Sequence, residues 1–321
     1  MDIDYLLLLQ DFRNGISNAI TPFMEMLSLF AVTYLVIVPA IIYWCVDKRV
    51  GLYTIGSFTA SVAVNAVIKL SCCIYRPWIR DSRVLPAGDA IRTATGYSFP
   101  SGHTMTAAPI YGGLAVSTWK KIRWISVLCL VCLCLTAFSR NYLGVHTPQD
   151  VLAGLAVGGL VLWGMAVLFR YLDKHPEKEN WFLAGGIMFG IAALVYFSLK
   201  VYPMDYVDGQ LLVDPQKMMK DGFGDVGKLI AFCAARFIEK KWIRFKPVFS
   251  KRNLAAGAVG AVLLFFLVES IGSPLKDLLG LHWGAFVQNF IIFMYIIAGW
   301  PLVMKACGKH EEAAGQPVHS F

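Results

Sequence analysis

Charge is what this chain has least of. Of its 321 residues only 16% are Asp, Glu, Lys or Arg, while 57% are hydrophobic. That departure from soluble usage is the one long apolar segments produce, so an ordinary soluble domain is excluded and a membrane protein is expected. Paired cysteines are missing from the loops as well. The eight cysteines fall at 45, 72, 73, 129, 132, 134, 233 and 307, nearly all inside or at the ends of apolar segments, so free thiols are expected in place of a disulfide framework. Cys129 and Cys132 form a C-x-x-C within "WISVLCLVCLCLTAF", where no polar neighbours support a metal or a redox pair, and they read as packing residues. The opening "MDIDYLLLLQDFRNG" has neither a basic n-region nor a small-residue cleavage site, which argues against a removable signal peptide. Residues 1–22 read instead as an interfacial amphipathic segment. Internal repeats and low-complexity tracts are also absent.

What the chain does have is a series of apolar runs long enough to cross roughly 30 Å of hydrocarbon. They lie at 23–46, 52–73, 102–119, 123–138, 150–170, 180–200, 223–238, 254–272 and 284–304. The seventh is the weakest, being short and carrying Lys228 and Arg236. Basic residues follow alternate runs: Lys48 and Arg49; Lys120, Lys121 and Arg123; Arg170, Lys174 and Lys178; the stretch "EKKWIRFKPVFSKR"; and Lys305 and Lys309. Short cytoplasmic loops carry such an excess. The predicted fold is therefore all-α, a polytopic membrane helix bundle of about nine transmembrane helices, with the amino terminus outside and the carboxyl terminus cytoplasmic. The acidic segment from Asp205 to Asp225 falls on the outer side. Gly154 with Gly158, and Gly186 with Gly190, mark close helix packing. The tail 308–321, with His310 and His319, is polar and expected to be disordered. The net charge of +8 is explained by cytoplasmic loop ends and anion ligands and gives no reason to invoke nucleic acid.

Several polar residues resist a packing explanation. The outer loop 74–100 carries Arg76, Arg80, Arg83 and Arg92 against the positive-inside pattern, and Lys69 and Arg140 sit near outer helix ends. Ionisable groups at membrane depth are costly and usually mark a site; arginine suits bidentate binding of phosphate or carboxylate, and lysine adds a point charge. In "YSFPSGHT", residues 97–104, Phe99-Pro100 breaks the chain, Ser101 is an expected N-cap, and Gly102 lets a ligand approach the backbone of the helix that begins there. A helix amino terminus holds anions, and His103 beside it can exchange a proton. In "SRNYLGVHTPQD", Thr147 as N-cap, Pro148 at the first helical position and Asp150 at the third make a helix start. Asp150 stands four residues after His146, within reach of its ring, and an oriented histidine of this kind is a nucleophile or base. Glu269, in the eighth run, is expected to find a partner inside the bundle.

These residues carry three complete patterns in order: K-x6-R-P from Lys69 to Pro77, P-S-G-H at 100–103, and S-R-x5-H-x3-D from Ser139 to Asp150. With them the chain resembles the phosphatidic acid phosphatase type 2 superfamily, which includes bacterial lipid phosphatases, sphingosine phosphate phosphatases, glucose-6-phosphatase and soluble vanadium haloperoxidases. The resemblance implies that His146 attacks phosphorus to form a phosphohistidine, that Asp150 orients it and that His103 protonates the leaving oxygen. It implies further that Lys69, Arg76, Ser101, Gly102 and Arg140 hold the phosphoryl oxygens, with neither metal nor cofactor. The expected organisation is a core at 23–172 and additional transmembrane helices at 173–307, whose role is left open, as is the oligomeric state.

The function expected is an integral membrane phosphatase, sited in a bacterial cytoplasmic membrane with its active site facing outward, that hydrolyses a lipid phosphomonoester or diphosphate. Undecaprenyl diphosphate, phosphatidic acid, phosphatidylglycerol phosphate and a sphingoid phosphate are all open as substrates. A water-soluble phosphate ester is the alternative within the enzyme class. A transporter or scramblase that keeps the fold is the alternative outside it.

Overall fold

The computed structural model describes residues 2–94, 96–207 and 209–313, with side chains to 307. The expected tail beyond 313, with His319, and the side chain of His310 lie outside the described residues, as does Asp208 of the acidic segment. Among the described residues thirteen α-helices carry the fold. They are α1 (Asp2–Gly15), α2 (Thr21–Thr33), α3 (Ile37–Cys45), α4 (Lys48–Cys72), the single turn α5 (Pro77–Arg80), α6 (Gly102–Thr118), α7 (Arg123–Tyr142), α8 (Pro148–Lys174), α9 (Glu179–Leu199), α10 (Pro215–Ile238), α11 (Lys251–Leu279), α12 (Leu281–Met294) and α13 (Trp300–Ala313). Two strands of two residues each, β1 (Tyr206–Val207) and β2 (Gln210–Leu211), form a small antiparallel hairpin before α10, which the all-α expectation did not include.

Each expected apolar run coincides with a helix or a broken helix pair. Six helical stretches are long and apolar enough to cross a membrane, and a seventh is the α2–α3 pair, bent by 50° at its break. The other two runs correspond to α6, which has only 17 residues, and to α10, whose charges lower its hydropathy. The chain is thus a multi-pass membrane protein. The expectation for α10 needs a correction: the helix starts at Pro215, well before residue 223, because Asp214 caps it by accepting from the Gln216 N–H at 2.9 Å and proline occupies the first helical position. Asp221 and Asp225 therefore lie on a helix and not in a loop.

Small residues set the helix spacing. A Cβ on Gly158 would come within 2.9 Å of Ala108, and one on Gly154 within 3.0 Å of Thr104, so α8 lies directly on α6. Gly186 and Gly190 let α9 approach Cys233 and Ile230 of α10, and Gly224 and Gly227 let α12 approach the opposite face of α10. The later helices are tied to the earlier ones by hydrogen bonds as well. Between α12 and α13 the helix widens into a π-type turn, Tyr295–Gly299, where the Ile296 and Ile297 carbonyls accept from Trp44 Nε1 at 2.8 Å and Tyr43 Oη at 3.0 Å.

A buried ionic cluster joins α4, α9 and α10. The fully buried Glu239 accepts from Lys48 Nζ at 2.6 Å, from the Phe245 N–H at 2.8 Å and from Arg236, which also donates to Glu179 at 2.7 Å. Burying these charges is tolerable only because each is paired. Lys48 and Lys69 are separated by 21 residues of one helix, about 30 Å of rise, so the cluster and the polar residues around Lys69 sit at opposite ends of the bundle. All eight cysteines are free. Glu269 departs from expectation: it lies on the exposed face of α11, not inside the bundle.

Candidate active site

The helix start expected at Thr147 is present in full. Thr147 Oγ1 accepts from the Asp150 N–H at 3.3 Å while Asp150 Oδ2 accepts from the Thr147 N–H at 2.8 Å, closing a capping box with Pro148 at the first helical position. The same carboxylate oxygen stands 3.4 Å from His146 Nδ1. Before it, Gly144 adopts φ +71°, a left-handed conformation that suits glycine, and turns the chain back after α7. The turn is held by the Arg140 carbonyl, which accepts from the Val145 and His146 N–H groups, and by Asn141 Nδ2, which donates to the His146 carbonyl at 2.9 Å.

Arg76 fixes the other side of the ring. Its Nη1 is 2.7 Å from His146 Nε2 and donates to the Val145 carbonyl at 2.9 Å, while its Nε donates to the Gly96 carbonyl at 3.0 Å. A guanidinium has only donors, so Nε2 must be the accepting nitrogen and the proton belongs on Nδ1, facing Asp150. Burial is the chief reason the His146 imidazole lies well below its ordinary pKa; the charges of Arg76, Arg140 and Lys69 add to it. The neutral, lone-pair-bearing form is therefore the resting one.

Ser98, absent from the sequence expectations, completes this arrangement. Its Oγ donates to Asp150 Oδ2 at 2.6 Å and stands 3.4 Å from His146 Nδ1, with the side chain fully enclosed. One hydroxyl thus sits between the carboxylate and the ring. The only signal in the sequence was its place two residues before Pro100.

The second helix start departs in detail. Ser101 is the N-cap of α6, yet its side chain makes no capping bond; its Oγ accepts from Thr104 Oγ1 at 3.1 Å. The Ser101 N–H donates to the Asp150 carbonyl at 3.0 Å, so the starts of α6 and α8 are joined through the backbone. Lys69 Nζ donates to the Tyr97 carbonyl at 3.0 Å, tethering α4 to the same loop.

Lys69, Arg76, Gly102, His103 and His146 line one cavity of about 470 Å³. Ser101, Arg140 and Asp150 stand behind its wall. His103 Nε2 is buried with no hydrogen-bond partner among the described residues, and so is Asn65 Oδ1, from α4, on the same cavity. Arg140 is fully buried: its Nη1 donates to Ser28 of α2, while its Nε and Nη2 have no hydrogen-bond partner among the described residues. The other arginines of the outer loop are answered locally, Arg80 by Asp2, Arg83 by Asp81 and Arg92 by Asp89; of the four, only Arg76 reaches the cavity. Among the described residues no three His, Cys, Asp or Glu side chains gather into a group that could hold a metal ion.

Such a cluster, an oriented histidine facing cations across a cavity from a second histidine, is arranged for an anion that reacts. Residues 50–174 match the family model described as the PAP2 superfamily. Phosphatidylglycerophosphatase B of Bacillus subtilis is 30% identical over 158 residues, spanning 47% of this chain and 73% of that protein. This chain belongs to the PAP2 superfamily. Undecaprenyl-diphosphatase of Sulfolobus acidocaldarius is 28% identical over 36% of this chain and 52% of its own length, so the chain spans about half of that relative. Lipid A 4'-phosphatase of Bacteroides thetaiotaomicron is 28% identical over 28% of this chain and 39% of its own length. No solved structure matches significantly. By class the PAP2 chain is a hydrolase of phosphoric esters or diphosphates. The matched segment includes every residue named above as a site expectation and stops short of α9 to α13.

Proposed function

We propose that this PAP2 protein is a membrane phosphatase that removes phosphate from a lipid phosphomonoester or diphosphate through a phosphohistidine, without a metal, at the outer face of a bacterial cytoplasmic membrane. In this topology all nine runs span, the amino terminus is outside and the carboxyl terminus is cytoplasmic. The observation that carries the reading is His146. Its Nδ1 faces Asp150 and Ser98 and its Nε2 faces Arg76 and the cavity, with burial and the nearby cations lowering its pKa.

The chemistry follows from that geometry. A phosphate oxygen entering the cavity replaces His146 as the acceptor of the Arg76 N–H, freeing the Nε2 lone pair. Nε2 attacks phosphorus in line and the ester oxygen departs, taking a proton from His103. The imidazole gains positive charge as the P–N bond forms, and the Asp150 carboxylate stabilises it through Nδ1–H. Water, deprotonated by His103, then cleaves the P–N bond, releasing inorganic phosphate and restoring the ring. Lys69 and Arg76, with the N–H groups at the start of α6, stabilise the equatorial oxygens, and the buried Arg140 guanidinium behind the wall adds positive charge, the service a metal ion performs in other phosphatases. Gly102, on the cavity wall, leaves those N–H groups uncovered by a side chain, and Ser101 fixes where they begin by donating its own N–H to the Asp150 carbonyl. The names of the relatives, which act on phosphatidylglycerophosphate, undecaprenyl diphosphate and lipid A, support a lipid substrate.

The test is phosphate release by the purified protein in detergent with EDTA present, across phosphatidic acid, phosphatidylglycerophosphate, undecaprenyl diphosphate, a sphingoid phosphate and glucose 6-phosphate, with His146→Ala as the blank. Release from at least one lipid, lost in the variant although the variant still binds that lipid, is the expected result. Activity retained by His146→Ala would assign the nucleophile elsewhere, and no release from any lipid by the wild type would favour a carrier.

A further inference from the structure

The cavity has a second wall, built outside the family-matched segment. Asp221, Asp225 and Lys228 of α10 and Gln288 and Asn289 of α12 line it together with His103 and His146. Their approach depends on the close α10–α12 contact at Gly224 and Gly227, which makes the wall a packed part of the fold.

The wall is rich in acceptors. Lys228 pairs with Asp225 at 2.6 Å and Lys220 with Asp221 at 3.1 Å; with Lys276 also on the lining, three lysines against two carboxylates leave this wall one positive charge in excess, and both carboxylates are paired. Asn289 spends one amide N–H on the Ala285 carbonyl at 2.9 Å, and Gln288 spends one on the Val268 carbonyl at 3.3 Å, so each amide keeps its oxygen as an acceptor beside its second N–H. Asn65 Oδ1, buried on the same cavity, has no hydrogen-bond partner among the described residues. A buried acceptor without a donor is costly, and a ligand that supplies one recovers that cost. The catalytic end of the cavity is strongly cationic; this end asks for hydrogen-bond donors.

We propose that the α10–α12 wall, with Asn65, selects a phosphate ester whose leaving alcohol bears hydroxyl groups, and that Asp225 and Asn289 are specificity-determining residues that accept hydrogen bonds from them. The inference rests on the phosphatase reading above. A diphosphate's leaving group offers this wall a phosphate in place of a hydroxyl donor, so diphosphates are disfavoured. The contact set also gives the helices beyond the family segment a place in the reaction.

The experiment measures kcat/KM for phosphatidylglycerophosphate, whose leaving group carries a hydroxyl, for phosphatidic acid, whose leaving group carries none, for glucose 6-phosphate as a soluble polyol ester and for undecaprenyl diphosphate. Wild type, Asp225→Asn and Asn289→Leu are compared. Each variant is scored by the ratio of two substrates in the same preparation, which cancels any loss of folded protein. The hydroxylated-to-plain ratio is expected to exceed one in the wild type and to fall about tenfold or more in the variants, as expected when a site built to bond a hydroxyl loses an acceptor. Preference for glucose 6-phosphate over phosphatidylglycerophosphate would assign the hydroxyls to a soluble ester. Preference for the diphosphate, or ratios unchanged in both variants, would overturn the proposal. A wild type inactive on all four would overturn the phosphatase reading, and this inference with it.

Discussion

Replacing Ser98 with alanine isolates one contact in the support of His146, the proposed nucleophile. In the native site the hydroxyl donates to Asp150 Oδ2 at 2.6 Å and stands 3.4 Å from His146 Nδ1, so Ser98→Ala removes a hydrogen bond to a charged acceptor in an enclosed position. Such bonds contribute about 1.5–3 kcal/mol. If all of it acted on the transition state, the rate would fall about 10- to 150-fold at 1.36 kcal/mol per decade. The Thr147 N–H still holds Asp150 at 2.8 Å, so the lower part of that range, about 10- to 30-fold in kcat, is expected. KM should change little, because Ser98 does not line the cavity. The assay is steady-state phosphate release per folded molecule, with folding followed by thermal unfolding in the same detergent. A role confined to packing would lower the folded fraction and leave kcat per folded molecule at the wild-type value. That outcome would refute the positioning role.

Other consequences can be checked in the same system. His103→Ala should cost on the order of 10² to 10⁴ in rate, less for esters with good leaving groups; an equal loss for every leaving group would remove its acid role. For a histidine nucleophile the protonated form is inert, and burial with Arg76 beside it depresses the His146 pKa below 6.5. The neutral nucleophile therefore persists as pH falls through that value, and the acidic limb of kcat/KM belonging to His146 should lie below pH 6.5. A limb at or above 6.5 that disappears in His146→Ala would contradict the electrostatic account. Glu239→Gln leaves Lys48 without the charge that answers it and Arg236 with Glu179 alone, and should destabilise the protein by about 3 kcal/mol, seen as a lower unfolding temperature; an unchanged midpoint would show that the cluster contributes no net stability.

Much of the candidate site was legible because its pattern is local in sequence. The Thr147-Pro148-Asp150 start of α8 and the placing of His146 four residues before Asp150 follow from helix-start rules, and the capping box is present as those rules require. Ser98 and Asn65 gave no such signal: their importance comes from neighbours 52 residues away in one case and across the cavity from other helices in the other. The start of α10 was misplaced for a related reason. Asp221, Gly222, Gly224 and Asp225 look like loop residues until Leu70 and Phe197 are seen to need the small side chain at 222, α12 the one at 224, and the cavity to take the charged ones. Arginines 80, 83 and 92 were overvalued, since each has a carboxylate close by.

The hydrogen bond from the Ser101 N–H to the Asp150 carbonyl has a mechanical meaning. His103 lies two residues beyond its donor and His146 four residues before its acceptor, so the gap between the two histidines is spanned by main chain and depends little on rotamers. The jaws are set when the protein folds, before any substrate arrives. A phosphate ester must then fit a fixed aperture, and selection among esters is left to whatever borders the opening on its far side.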